Sequence, residues 1–177
     1  MTRNANTQHW RLREETVDDQ RSIHELTRLA FADRPYADGD EQEVIDRLRS
    51  RGELTLSLVA EQDDEVIGQV TFSPARADDG SGPWFALGPV AVHPERQGRG
   101  VGHSLIQAGL ERLRDFGALG CMLTGNPTYY ARFGFTGAPE QTPPQEPSEF
   151  FMVLFMTDYR PTGPMYFSPA FYEEIPP

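Results

Sequence analysis

Apolar positions recur along the chain in two periods, one close to 3.6 and one of two, and these spacings predict alternating helices and strands. Trp10-Arg11-Leu12-Arg13 reads as a short first strand. After Asp18-Asp19, the residues Ile23, Leu26, Leu29 and Ala30 fall at helical spacing. The two acids suit a helix N-terminus, and a stop is expected near Asp33-Arg34-Pro35. A second helix is predicted after Asp38-Gly39-Asp40, with Val44, Ile45 and Leu48 buried and Gly52 as its end.

Leu54 to Glu61 and Val66 to Ser73 alternate apolar with small polar residues around Asp63-Asp64, the pattern of a hairpin. Trp84 to Val92 is strand-like but contains Gly88-Pro89. Proline cannot donate to a ladder, so a bulge or a parting from a neighbour is predicted there. Between Gly102 and Phe116, Leu105, Ile106, Leu110, Leu113 and Phe116 repeat at helical spacing, and Gly117 closes the helix. Ala118 to Thr124 reads as a buried strand, and Thr128 to Phe133 as a short helix or turn ended by Gly134. Residues 137–149 are polar and proline-rich, which predicts a mobile loop without a core face. Phe150 to Met156 is apolar without alternation, as in a strand covered on both faces, and Met165-Tyr166-Phe167 is a candidate edge strand.

No repeat or composition break divides the chain. With 177 residues and 38% apolar content, one mixed α/β (α+β) domain over residues 1–177 is expected, its core spanning about 10–166. The 27 acidic residues exceed the 16 basic ones, giving a net charge of −11, which argues against nucleic acid and anionic membranes as partners. All 16 basic residues are arginine. The absence of lysine excludes a Schiff-base lysine and a phosphate loop ending in Gly-Lys-Ser/Thr. Cys121 is the only cysteine, and His9, His24, His93 and His103 have no zinc-ligand spacing, so neither a disulfide nor a metal is expected. The N-terminus carries no secretory apolar stretch, and the run from Phe150 to Met156 is too short to span a membrane. A cytoplasmic protein is expected.

The most informative stretch runs from Val90 to Gly102, where a strand passes through a glycine-rich turn into a helix. Glycines allow backbone N–H groups close to a ligand, and a helix start adds free donors and partial positive charge, which together suit phosphate. Arg96 and Arg99 outnumber Glu95, so the turn is basic within an acidic protein. The dinucleotide fingerprint G-x-G-x-x-G fails here: counted from Gly98 the third position is His103, and counted from Gly100 it is Leu105.

What remains is Q-x-x-G-x-G, at Gln97, Gly100 and Gly102, and it resembles the pyrophosphate-binding signature of the GNAT superfamily of N-acetyltransferases. Gly88 to Pro94 resembles that family's fourth strand. Asn126 with Tyr129-Tyr130-Ala131-Arg132-Phe133-Gly134-Phe135 resembles its second signature. The order of elements fits from about Trp10 to Tyr166, and the specific residues lie between Val90 and Phe135.

The resemblance implies a mostly antiparallel sheet flanked by helices, with splayed central strands and acetyl-CoA as cosubstrate. The pyrophosphate would lie on the N–H groups of Gln97, Gly98, Arg99, Gly100, Val101 and Gly102, helped by Arg96 and Arg99. The pantetheine arm would pair along Val90, Ala91 and Val92, and Asn126, Tyr129 and Arg132 would also contact the cofactor. The Val92 N–H would stabilise the oxyanion, and Tyr130, four residues before Gly134, would be the acid that protonates the leaving thiolate. Trp84 to Val92 contains no carboxylate, unlike some family members, so no base is named. An amine with its ordinary pKa of about 10.4 would lose its proton through water, through a carboxylate elsewhere, or react as its neutral fraction.

His93 reads as a turn residue. Asp38, Asp40 and Glu41 lie where the family builds part of its acceptor wall, although a helix-start acid cluster is the stronger reading. Cys121 is a core residue, not a nucleophile. Tyr166, Phe167, Phe171 and Tyr172 are candidates for an exposed apolar contact and a homodimer. The implied activity is acetyl transfer to a primary amine, with a cationic acceptor weakly favoured by the net charge. The alternatives are a longer acyl donor, or an acyl-CoA-binding sensor without turnover.

Overall fold

The computed structural model describes residues 9–173, and the N-terminal start read above for a secretory signal lies outside them. Its strands are β1 (Arg11–Glu14), β2 (Leu56–Gln62), β3 (Glu65–Ala77), β4 (Trp84–Val92), β5 (Gly120–Thr124), β6 (Thr136–Gly137), β7 (Phe151–Phe155) and β8 (Met165–Tyr166). The helices are α1 (Gln20–Phe31), α2 (Glu41–Ser50), α3 (Val101–Asp115) and the single turn α4 (Pro127–Tyr130).

The β2–β3 hairpin closes because Asp63 and Asp64 both take left-handed φ, 52° and 63°, the two-residue turn whose twist matches paired strands. From there the sheet runs β1-β2-β3-β4-β5-β7-β6, with β8 on the far end of β3. Only β4 and β5 are parallel, because α3 carries the chain back across the sheet between them; every other pairing is antiparallel.

Side chains alternate along β3, so the two faces differ. Gly68, Val70 and Phe72 face α3. The helix sits so close that a Cβ on Gly109 would come within 2.1 Å of the Phe72 ring. The opposite face is covered by α1 and α2: Ile23 and Ile45 pack on Val59, and Leu26 and Ala30 on Ala91. At the edge, Arg13 pairs with Asp19 at 2.6 Å and with Glu61 at 2.6 Å. The Arg13 hydrogen bonds hold the Asp19 carboxyl down at about 2 against the opposing effect of burial.

Four expectations are corrected. Leu29 is 41% exposed, because Thr27 takes the buried position on α1 by donating its hydroxyl to the Ile23 carbonyl at 2.7 Å. Phe116 caps the C-terminal end of α3 and is 57% exposed. The segment 137–149 does have a core face, since Ala138 and Pro143 are buried and Gln141 donates to the Pro161 carbonyl. The tail aromatics are less exposed than read: Phe167 is buried, Tyr166 and Phe171 are half-buried, and Tyr172 is exposed. Phe167 packs edge-on against Phe151 at 6.2 Å, Phe171 lies against Phe167 at 5.2 Å, Tyr166 lies under the Arg76 guanidinium at 4.1 Å, and Tyr172 donates to Glu146. No helix among the described residues is long and apolar enough to cross a membrane.

Candidate active site

The parting predicted at Gly88-Pro89 is present. Opposite it, Val70 pairs with Val90 and Phe72 with Leu87, so two residues of β4 bulge against Thr71 alone. On its other side β4 pairs with β5 only at Trp84, Phe85 and Ala86. Beyond that point β5 continues against β7, and Val90 to Val92 has no neighbour on the β5 side. The His93 N–H donates to the Ile67 carbonyl at 2.9 Å, which makes Gly68 and Val92 a non-hydrogen-bonded pair. The N–H and C=O of Val92 therefore point away from β3 into the gap, and alternation turns those of Val90 the same way.

The glycine-rich turn follows directly. His93 caps a short 3-10 turn, Pro94–Arg96, its ring accepting from the Glu95 N–H at 3.3 Å, which is the turn role read for it. Gly98 and Gly100 take left-handed φ of 73° and 90°, conformations that side chains disfavour. Gly100 caps α3 without a side chain, so no side chain caps the first N–H groups of α3, at Val101, Gly102 and His103. Arg96 and Arg99 flank this turn, and neither forms an ion pair with a described residue. Among the described residues no group of histidine, cysteine and carboxylate side chains could hold a metal.

Facing the turn, Asn126 caps α4 by accepting from the Thr128 N–H at 2.9 Å. Tyr129 packs on the start of α3, where a Cβ on Gly102 would lie 3.4 Å from its hydroxyl and 3.5 Å from Val92 Cγ2. Arg132 stacks on the Tyr129 ring at 4.5 Å and donates to the Tyr129 carbonyl. The Tyr130 ring lies over Gly125, edge-on to Tyr129 at 4.9 Å and to Phe135 at 6.0 Å. Burial pushes its phenol well above the usual tyrosine range, and Tyr129, Tyr36 and Cys121 add to the same shift. A phenol so placed keeps its proton at any physiological pH. The Cys121 thiol is fully buried and is likewise pushed up by burial, as befits a core residue.

The structure thus brings Val90 to Gly102 together with Asn126 to Arg132 around the mouth of the gap. Asp40 pairs with Arg47 at 2.6 Å and Glu41 accepts from the N–H groups of Asp38 and Gly39, in keeping with the helix-start cluster read for them. One neighbour of the turn was missed. Arg34, in the segment between α1 and α2, donates to the Gln97 side chain at 2.9 Å across 63 residues, a contact that no local spacing could have signalled.

Comparison with known proteins agrees with this geometry. Residues 17–135, well over half of the chain, match the family model described as acetyltransferase (GNAT) family. An uncharacterized N-acetyltransferase of Escherichia coli, YhbS, is 36% identical over 107 residues, covering 60% of this chain and 64% of that relative. The match thus spans somewhat less than two thirds of the relative's own length. A GNAT family acetyltransferase from Brucella melitensis, solved in complex with acetyl-CoA, superposes with a TM-score of 0.82 at 39% identity, covering 92% of this chain and 98% of that one. The structure of YhbS from Escherichia coli in complex with CoA gives a TM-score of 0.85 at 29% identity, covering 97% of each chain. Fold, gap, turn and family model converge: the chain belongs to the acetyltransferase (GNAT) family.

Proposed function

We propose that this protein transfers an acetyl group from acetyl-CoA to a primary amine by direct attack in a ternary complex. The observation that carries the reading is the stretch Val90 to Val92, unpaired on the β5 side and leading straight into the Gln97–Gly102 turn. Its gap-facing backbone groups, with the Val92 carbonyl shared with Gln97, suit an extended amide-bearing arm, and the turn's N–H groups, with Arg96 and Arg99, suit a pyrophosphate. The related structures hold acetyl-CoA and CoA, which are the ligands this arrangement fits.

In the reaction a neutral amine attacks the thioester carbonyl. The Val92 N–H, directed into the gap, donates to the oxygen that gains negative charge. As the carbon–sulfur bond breaks, Tyr130 gives its proton to the departing thiolate. Its phenol carries the proton at neutral pH, as an ordinary tyrosine does, and burial raises its pKa further. The amine enters from its neutral fraction or after losing a proton to water, and the proton its nitrogen sheds after attack passes through water and restores the Tyr130 phenol, since β4 carries no carboxylate. The surplus of acidic residues favours a cationic acceptor.

Thermal unfolding with acetyl-CoA, free CoA and NADH tests the cofactor assignment. A ligand at a hundredfold excess over Kd stabilises the native state by about 2.7 kcal/mol. Both CoA compounds are expected to raise the transition and NADH to leave it unmoved. No shift with either CoA compound overturns the reading. Release of free thiol from acetyl-CoA, screened over amines, then separates a transferase from a binding module that lacks turnover.

A further inference from the structure

A short chain of hydrogen bonds joins the α1–α2 segment, residues 32–40, to the cofactor turn. Arg34 Nη2 donates to Gln97 Oε1 at 2.9 Å, and Gln97 Nε2 donates to the Val92 carbonyl at 3.1 Å. Gln97 therefore spends both ends of its amide on protein partners: one on the last residue of β4, the other on a segment distant in sequence.

Arg34 is itself held in place. Its carbonyl accepts from the Ala37 N–H at 3.1 Å, closing a turn in which Pro35 presets the first corner. Tyr36 at the second corner is 74% exposed. Farther along, Glu41 fixes the segment by accepting from the N–H groups of Asp38 and Gly39. The segment is thus anchored at α2 and reaches the turn through Arg34. Arg34 makes no ion pair with a described carboxylate, so its charge adds to that of Arg96 and Arg99 beside the turn.

We propose that Arg34 is a positioning residue that couples occupation of the cofactor turn to ordering of residues 32–40. The proposal rests on the CoA reading of the turn. A ligand that fixes the N–H groups around Gln97 fixes the Gln97 amide, which then presents a steady acceptor to Arg34. Residues 32–40 are ordered as a result. Coupling of this kind is reciprocal, so an ordered segment strengthens CoA binding by the same factor.

Hydrogen exchange read by mass spectrometry, with and without saturating CoA, tests this on the full chain and on Arg34→Ala and Arg34→Lys. In the parent protein CoA is expected to slow exchange in residues 97–103 and also, about fivefold, in residues 32–40, the low end of ordinary coupling between sites. Arg34→Ala should keep the first effect, lose the second, and bind CoA about fivefold more weakly. Arg34→Lys, which keeps the charge and a single donor, should recover part of both. The proposal is overturned if Arg34→Ala retains the slowing in 32–40, or if it weakens CoA binding while that slowing is intact, which would make Arg34 only another anion contact. It is equally overturned if the parent protein protects 97–103 but not 32–40. Protection of neither segment removes the CoA reading itself, and the coupling with it.

Discussion

The two halves of β4 are built from similar apolar residues and do opposite work. Trp84 to Leu87 is buried, and Trp84 to Ala86 lies between β3 and β5; Trp84, for example, is 1% exposed and meets Phe155 edge-on at 6.2 Å. Val90 to Val92, past the bulge, keeps β3 but has lost β5. A strand paired on both sides has spent its backbone groups on the fold, whereas one paired on a single side still has them to offer a ligand. Gly88-Pro89 is the boundary between the doubly paired and the singly paired half.

The sharpest way to separate the halves is to damage one at a time. Trp84→Ala should cost about 3–5 kcal/mol, seen as a lower urea midpoint, with CoA affinity of the folded protein unchanged. Tyr130→Phe should do the reverse: turnover down by at least about a hundredfold, with the thermal shift produced by CoA nearly as in the parent. An unchanged rate would remove Tyr130 as the acid. Gly100→Ala forces a side chain into φ 90°, which costs about 1–2 kcal/mol and should weaken CoA binding while leaving the packing around Trp84 intact. Calorimetric titration with CoA measures it.

The folded edge at β1 and the candidate site should also answer to opposite ends of the pH scale. Asp19, held at about 2 by Arg13, gives stability that is fully present above its ordinary value near 3.8 and is lost as pH falls through about 2. Acid unfolding should therefore be displaced to higher pH in Asp19→Asn. Tyr130, raised in the folded state, keeps its proton past its ordinary value of 10, so turnover should show no falling limb from this group below that pH. A decline set by an acid near 8 would point to a different proton donor. The smallest effects are expected at Leu29→Ser and Phe116→Ser, within about 0.5 kcal/mol in a denaturant titration, because both side chains already face water.

Much of this architecture was legible in the chain. The hairpin followed from alternation around Asp63-Asp64, α3 from the spacing of Leu105, Ile106, Leu110 and Leu113, and the break in β4 from a proline that cannot donate. Each is a local rule. Leu29 and Phe116 show where such rules stop. Periodicity marks a residue as apolar and in phase, but which phase is buried depends on what packs against it, and on α1 a threonine satisfied by its own helix took the place. The loop 137–149 misled for a related reason: its composition is polar and proline-rich, yet Ala138 and Pro143 suffice to seat it.

At the site, the glycine turn and the second signature were readable because each is a contiguous stretch whose backbone geometry its own residues dictate. The Arg34–Gln97–Val92 connection was not, since its first two members stand 63 residues apart and nothing near Arg34 in sequence encodes its partner. By itself the sequence determined where strands break, where helices start, and that a turn of glycines and arginines would present free N–H groups. Only the tertiary structure decided which strand would leave β4 unpaired, which tyrosine would be packed over Gly125 and against Phe135, and which distant arginine would reach the turn. Those outcomes depend on distances between segments, which local covalent and conformational preferences do not set.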